Sequence, residues 1–266
     1  MSSLQEARCF ITYQGEPCFN MAFDEWLFGQ AVHDPGFVAF RLYTWLPGAI
    51  TIGLNQRAEM ALDWRAIGST VVIRRATGGR ALYHDPSELT YSVVVGADTT
   101  RRLCAGGSTS RLSGLIAHGL TRFLIRQGIG AEFVRRSSPV DQRPVADHTM
   151  PCFASFARYE LVSGGRKVVA SAQRRTGDAV LQHGSIKMGG VTNHAALPGI
   201  GDLGGPDSEL QSLDYEWLMK AARDLFAAIA ESIGVDWKVI EERVEEQVLP
   251  GALQIMSTPL SRRDFS

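Results

Sequence analysis

The chain has 266 residues, 45% hydrophobic and 21% charged, with a formal net charge of -1. That balance gives no electrostatic basis for binding nucleic acid or an anionic membrane surface, and the length lies near the upper limit for one hydrophobic core. A single domain over residues 1–266 is therefore expected, without a separate accessory domain.

Taken in chain order, the segment Met1 to Arg8 is polar and lacks the apolar core of a signal peptide, and no later run is long enough to span a membrane. The four cysteines, Cys9, Cys18, Cys104 and Cys152, form no Cys-x-x-Cys pair and show no zinc-like spacing with histidine. Neither a disulfide framework nor a metal site is expected, and the compartment implied is a reducing cytoplasm.

Asn20 to Phe28 reads as an amphipathic helix, with Phe19, Ala22, Phe23, Trp26 and Leu27 at helical spacing. Phe37 to Tyr43 is rich in strand formers. Pro47-Gly48 marks a turn, after which Ala49 to Gly53 reads as the return strand. Val71 to Arg75 is a short strand leading into a glycine loop, and Leu89 to Val95 is a buried strand. Ser108 to Gln127 carries one apolar stripe and is a helix, with Ser108 positioned to cap it.

Arg135 to Met150 is polar, contains Pro139 and Pro144, and reads as a loop before Cys152. Tyr159 to Val162, Gly164-Gly165 and Lys167 to Ala172 form a hairpin signature, followed by a strand at Ala179 to Ile186. Asn193 to Ser208 reads as loop. Tyr215 to Ile233 and Trp237 to Val248 are helical by pattern, giving a helical C-terminal portion over about 214–248. Strands in groups, with helices between the groups, favour an α+β fold over a doubly wound sheet.

Three features can carry chemistry. The first is Arg74-Arg75-Ala76-Thr77-Gly78-Gly79-Arg80, running on to His84. Paired glycines after a strand let the backbone approach a ligand and present N–H groups to an anion or carbonyl. Arg74, Arg75 and Arg80 add donors suited to carboxylate or phosphate. A tight turn with solvated arginines is the competing reading. The spacing matches neither the P-loop nor the dinucleotide fingerprint. The second is Cys152, either a buried hydrophobe or a nucleophile. The third is Lys167, a hairpin's length beyond it and followed by the small residues Ala170-Ser171-Ala172. A neighbouring ammonium would favour the Cys152 thiolate. His183 offers an alternative Cys–His pairing, and both His84 and His183 have a purely structural reading.

Together these segments resemble the superfamily of lipoate–protein ligase A and octanoyltransferases, related in fold to biotin–protein ligases. The blocks that carry the resemblance are Asn20 to Glu25, Arg74 to Asp85, Glu88 to Val93, Arg166 to Gln173 and Val180 to Ile186, in family order over roughly residues 15 to 190. Within the superfamily the chain is most similar to the LipM type of octanoyltransferase. Thr77-Gly78-Gly79-Arg80 has no third glycine, and Cys152 falls in a Cys-Phe context followed by Tyr159-Glu160-Leu161-Val162.

The resemblance implies mixed and antiparallel sheets flanked by helices, as in the synthetase-related biotin and lipoate ligases. It implies octanoyl transfer from acyl carrier protein to a lysine of a lipoyl domain, on a glycine cleavage H protein or a 2-oxoacid dehydrogenase subunit. Cys152 would carry the acyl thioester, and Lys167 would lower its pKa and help hold the acyl carbonyl. Arg74, Arg75, Gly78, Gly79, Arg80, His84, Ser171, Ala172, His183 and Gly184 would bind substrate. A monomer needing neither metal nor nucleotide is expected. The departures are Ala170, where the family usually has glycine, and a poor match after Ile186.

An ATP-dependent ligase forming a lipoyl-adenylate with Mg would use the same loop and Lys167. An amidotransferase between lipoyl domains would use the same cysteine. A non-catalytic carrier-binding regulator would keep the pocket without turnover.

Overall fold

β-Branched and aromatic residues are concentrated in Leu89-Thr90-Tyr91-Ser92-Val93-Val94-Val95, and this run forms strand β6 (Leu89–Val95), buried along its whole length near the middle of an eight-stranded sheet. The structure, a computed structural model, describes residues 6–104, 110–133, 160–188, 194–197 and 213–239. On one side β6 pairs antiparallel with β2 (Val38–Trp45), which runs parallel to β1 (Glu6–Gly15). On the other it pairs antiparallel with β10 (Ala179–Ile186), which continues through β9 (Arg166–Thr176) and β8 (Leu161–Ser163) to the short β7 (Glu132–Phe133).

The hairpins are those the turn chemistry favours. Gly164 and Gly165 both take positive φ, 55° and 76°, between β8 and β9. Gly177, at φ 58°, and Asp178 form the two-residue turn between β9 and β10.

The two faces of the sheet are covered differently. Helices α4 (Ser110–Arg126) and α5 (Tyr215–Ile233) bury Leu112, Ile116, Phe123, Leu225 and Phe226 against one face. Asp214 caps α5 by accepting from the Trp217 N–H at 2.8 Å, and Gly234 ends it at φ 66° in the left-handed region. On the other face lies α1 (Pro17–His33). It starts with Pro17 in its first turn and with Glu16 accepting from the Phe19 N–H at 2.8 Å. Phe23, Leu27 and Phe28 of α1 join Phe10, Val94 and Leu181 of the sheet.

A second sheet of three strands takes the order β4-β3-β5, formed by β4 (Val71–Arg74), β3 (Ala49–Ile52) and β5 (Leu82–His84). Its Ala49 and Ile73 meet Cys18 and Met21 of α1 and Trp45 of β2. The short helices α2 (Ala58–Ala61) and α3 (Ala97–Leu103) complete the described elements with β11 (Asp236–Val239). No helix among the described residues is long and apolar enough to cross a membrane.

Mixed sheets with helices on their faces match the α+β expectation, and three local readings are corrected. Ala49–Ile52 does not return beside Val38–Trp45. It leaves for the second sheet, pairing parallel with β4 and antiparallel with β5. Trp237 to Val239, read as the start of a helix, adds instead as a parallel edge strand to β1, where Glu6 to Cys9 offer an unpaired strand edge. The rest of 240–248 lies outside the described residues, as does Ser108. Finally, α1 is present but is buried on the polar side too, because Asn20 and Asp24 face inward with the aromatics.

Helices α4 and α5 approach closely at Gly119, where an added Cβ would lie 2.9 Å from Ile229 Cα and 3.1 Å from Ala228 O. In an open helix, Gly→Ala gains about 1 kcal/mol. Here crowding against backbone dominates, so Gly119→Ala should lower the unfolding free energy by about 1–3 kcal/mol in urea titration. An unchanged or higher midpoint would show that the two helices separate freely.

Candidate active site

The site grows from one buried charge pair. Asn20 and Asp24 stand one turn apart on α1 and so share a face. Opposite them, Arg41 of β2 is fully buried. Its Nη1 donates to Asn20 O at 2.8 Å and Asp24 Oδ1 at 3.1 Å. Its Nη2 donates to Asn20 Oδ1 at 2.6 Å and Thr12 Oγ1 at 3.2 Å. The guanidinium lies over the rings of Tyr43, 3.9 Å from centroid, and Phe23, 4.5 Å.

Asp24 also accepts from Tyr43 OH at 2.9 Å and from His183 Nδ1 at 2.9 Å. Burial alone would raise the Asp24 carboxyl, but the His183 hydrogen bond and the Arg41 charge outweigh it and hold it below the usual carboxylate range. His183 in turn meets Thr77 Oγ1 through Nε2 at 2.6 Å. A carboxylate–imidazole–hydroxyl chain thus runs from α1 through β10 to the glycine loop.

A second chain of the same kind lines the other sheet. His84 on β5 meets Glu88 Oε1 through Nδ1 at 2.6 Å and Thr51 Oγ1 through Nε2 at 2.8 Å. The ring stacks on Trp45 with centroids 4.1 Å apart. Burial lowers the His84 pKa against the opposing pull of Glu88, so the imidazole is neutral and Thr51 donates to it. Glu88 further accepts from Thr90 Oγ1 at 3.2 Å and from Lys187 Nζ. Burial would raise the Glu88 carboxyl, yet the Lys187 charge and the His84 contact bring it down to about 2.

Between these two chains, where the large sheet meets the small one, is a cleft with about 340 Å³ of empty space, part of it open to solvent. Its walls are Met21 of α1, Thr51 and Leu82 of the small sheet, and Ala170, Ser171, Ala172, His183, Gly184 and Ser185 of β9 and β10. Gly184 cannot carry a side chain, since a Cβ would lie 2.5 Å from Ala170 O and 2.8 Å from the Tyr91 ring. Behind it, Tyr91 OH meets Ser171 Oγ at 2.7 Å and accepts from Gln182 Nε2 at 2.9 Å.

Of the expected substrate-binding residues, Arg75, His84, Ser171, Ala172, His183 and Gly184 line this cleft, whereas Arg74, Gly78, Gly79 and Arg80 do not. Arg74 turns away and donates through Nη1 to the carbonyls of Gly53, Leu54 and Gln56 at 2.8–3.0 Å. Arg75 clamps its own loop, with Nη2 donating to Gly78 O and Arg80 O, each at 2.8 Å, and Nη1 donating to Thr51 O at 3.2 Å. Gly79 takes φ 93°, and a Cβ there would sit 3.8 Å from Ala172 Cβ, so the loop tip borders the cleft wall. Gly53 lies beneath it, where a Cβ would be 1.9 Å from Gly79 O.

Lys167 is buried and its Nζ is 2.5 Å from Glu160 Oε1. It does not line the cleft, but the same strand carries it and Ala170 to Ala172. Cys152 lies outside the described residues. The three described cysteines are buried, and burial pushes the Cys9 thiol up and the Cys18 thiol up to about 11, so neither is a thiolate at neutral pH. Among the described residues no cluster of His, Cys, Asp and Glu is arranged to hold a metal ion.

Asp24, Glu88 and Ser185 were not singled out from the sequence. Asp24 falls at helical spacing between Phe23 and Leu27 of the apolar pattern, a signal that a partner waits in the core; Glu88, behind Asp85-Pro86-Ser87, carries no such signal.

Comparison with known proteins identifies the family. The model of the family "Lipoyl protein ligase A/B catalytic domain" matches residues 16–196. Octanoyltransferase LipM of Kyrpidia tusciae is 40% identical over 187 residues, covering 69% of this chain and 66% of that protein. Octanoyltransferase LipM of Brevibacillus brevis is 36% identical over 188 residues, with the same coverages. The match thus spans just under two thirds of the length of these curated relatives. Among solved structures, a lipoate-protein ligase A bound with ATP superposes with a TM-score of 0.67 at 19% identity, covering 94% of each chain. A bi-partite lipoate protein ligase from Thermoplasma acidophilum gives 0.60 at 19% identity, covering 95% of this chain and 92% of that one. These two show the fold.

The buried Glu88 gives the site a pH signature. Its folded value near 2 lies below the ordinary 4.5, so its stabilisation is complete above about 4.5 and is lost as pH falls toward 2. Unfolding free energies measured from neutral pH downward should drop through that window. Glu88→Gln, which removes the charge nearest the Lys187 ammonium, should cost roughly 3–5 kcal/mol at neutral pH and flatten the drop. An equally steep acid limb in the variant would remove Glu88 from this role.

Proposed function

The chain belongs to the lipoyl protein ligase A/B catalytic-domain family, and from that membership we propose that it is an octanoyltransferase of lipoate assembly. The donor is octanoyl-acyl carrier protein and the acceptor is a lysine of a lipoyl domain, on a glycine cleavage H protein or a 2-oxoacid dehydrogenase subunit, in the cytoplasm. The observation that carries the reading is that β9 supplies both Lys167 and the small-residue wall of the cleft, Ala170 to Ala172. At about 3.3 Å per residue the ammonium-bearing residue starts roughly 10 Å along the strand from Ala170.

In the proposed reaction, the Cys152 thiolate attacks the carbonyl carbon of the carrier thioester and the carrier leaves as its thiolate, giving octanoyl-Cys152. The neutral amine of the acceptor lysine then attacks the same carbon. An amide forms, the carbon–sulfur bond to Cys152 breaks, and the proton shed by the amine passes to the departing Cys152 sulfur. Because the donor is a thioester, neither nucleotide nor metal is needed. Lys167 favours the thiolate through its charge, and the Glu160 carboxylate beside it limits that field to that of an ion pair. The acyl tail, at about 0.8 kcal/mol per CH₂ removed from water, gains roughly 5 kcal/mol from an apolar cleft.

The two arginines ahead of the loop weigh against a nucleotide-dependent ligase. Arg74 and Arg75 direct their guanidinium groups at backbone carbonyls of their own loops, an arrangement that binds loop to sheet. The relatives from Kyrpidia tusciae and Brevibacillus brevis are octanoyltransferases by name.

Incubation with octanoyl-acyl carrier protein should add the mass of one octanoyl group to the chain and none to Cys152→Ser. Modification of a lipoyl domain that requires ATP and free octanoate, with no adduct on the chain, would establish the ligase instead. In the second test, iodoacetamide should label Cys152 well below the free-thiol pKa of about 8.5. Lys167→Ala should move the labelling profile to higher pH, and an unmoved profile would remove Lys167 from thiol activation.

A further inference from the structure

The polar side chains that line the cleft are paired with one another, with one exception. Thr51 Oγ1 donates to His84 Nε2 and accepts from Arg75 Nη1. Thr90 Oγ1 accepts from Trp45 Nε1 at 2.8 Å and donates to Glu88. Tyr43 OH donates to Asp24, Ser171 Oγ meets Tyr91 OH, and both ring nitrogens of His84 and of His183 are engaged. The exception is Ser185. It lines the cleft and is fully buried, yet its Oγ has no hydrogen-bond partner among the described residues.

The register explains the gap. Ser185 lies two residues beyond His183 on β10, so both project from the same face. Its cross-strand neighbours are Ala170 on β9 and Thr90 on β6. Ala170 has no polar side-chain atom, and the Thr90 hydroxyl is already engaged on both sides. A buried hydroxyl without a partner is disfavoured, and nearly all such groups in native proteins are matched by protein, water or ligand.

A saturated acyl thioester has a single strong hydrogen-bonding atom, its carbonyl oxygen, since the thioester sulfur is a weak acceptor. Building on the acyl-transfer reading above, we propose that Ser185 is a substrate-contacting residue that donates its hydroxyl proton in a hydrogen bond to the carbonyl oxygen of the bound acyl group. The carbonyl oxygen gains negative charge when a nucleophile adds to its carbon, so the same bond strengthens as the reaction proceeds. The hydrocarbon tail then lies along the apolar part of the lining, Met21, Leu82 and Ala172.

Two inert probes test this by calorimetry on the full chain. One is an octanoyl-pantetheine with CH₂ in place of the thioester sulfur, which keeps the carbonyl but cannot transfer it. The other is the same compound with the carbonyl reduced to CH₂. The wild-type chain should prefer the ketone by about tenfold, and Ser185→Ala should bind the two alike. The ligand-free Ser185→Ala should melt no lower than wild type, because no native hydrogen bond is lost. Ser185→Cys, similar in size and a weaker donor, should show an intermediate preference and serves if the alanine variant does not fold.

A ketone preference that survives in Ser185→Ala overturns the proposal. So does tighter binding of both probes by that variant, which would put the tail against residue 185, or a lowered melting point, which would show the hydroxyl paired within the protein. Equal binding of both probes by the wild-type chain overturns this contact alone. Binding of neither overturns the acyl-transfer reading and the contact with it.

Discussion

Arg41 is the constraint around which the rest of the structure is arranged. A guanidinium placed wholly inside a protein costs several kcal/mol unless its charge and its N–H groups are matched nearby. Here the charge and both Nη groups are matched, though Nε is not, and that match requires α1 to present Asn20 and Asp24 to β2, and β1 to present Thr12, all at once. That requirement fixes how α1 crosses the sheet. It also leaves the second Asp24 oxygen directed at Tyr43 and His183. The ion pair is weak evidence of net stability, since well-packed apolar residues often do as well. Its physical effect is to remove alternative placements of the helix, because any other placement leaves a charge unpaired in the core.

From this pair the order propagates outward through short, directional contacts. Asp24 sets the tautomer and tilt of His183, and His183 holds Thr77 at the entrance of the glycine loop. Glu88 does the same for His84 and Thr51 on the opposite wall. Neither imidazole has a nitrogen left over for a substrate. These histidines therefore act as fixed struts, His183 between α1 and the glycine loop and His84 between Glu88 and Thr51. Arg75 supplies the third fixture, bracing the loop against its own carbonyls. The cleft is preorganised by contacts that a ligand does not need to form.

Much of this was legible in the sequence where local chemistry decides the outcome. The β-branched run of β6, the hairpin turned at Gly164-Gly165 and the apolar stripe of α4 each carry their own signal. The reading fails where a segment's partner is distant in sequence. Pro47-Gly48 looks like a hairpin turn, but whether Ala49–Ile52 returns or crosses to another sheet depends on Val71–Arg74 and Leu82–His84. Trp237 to Val239 follows a helical pattern until the open edge of β1 is present. Arg74 and Arg75 read as ligand donors because sequence does not show that the nearest carbonyls belong to the protein. Ser185 was invisible for a related reason: its importance lies in what its neighbours fail to offer.

The two-residue turn at Gly177 and Asp178 gives the surface a say in the chemistry. Side chains alternate sides along a strand, so pairing offset by one residue would turn His183 and Ser185 away from the side they share with Ala172 and Ala170. The alignment of the two longest neighbouring strands around the site is thus indexed from a solvent-facing corner, tethered by Asp178 to Arg101 and Arg175. Substitutions at that corner would act on acyl recognition as an error of phase, with every atom of the cleft chemically intact and presented to the wrong side.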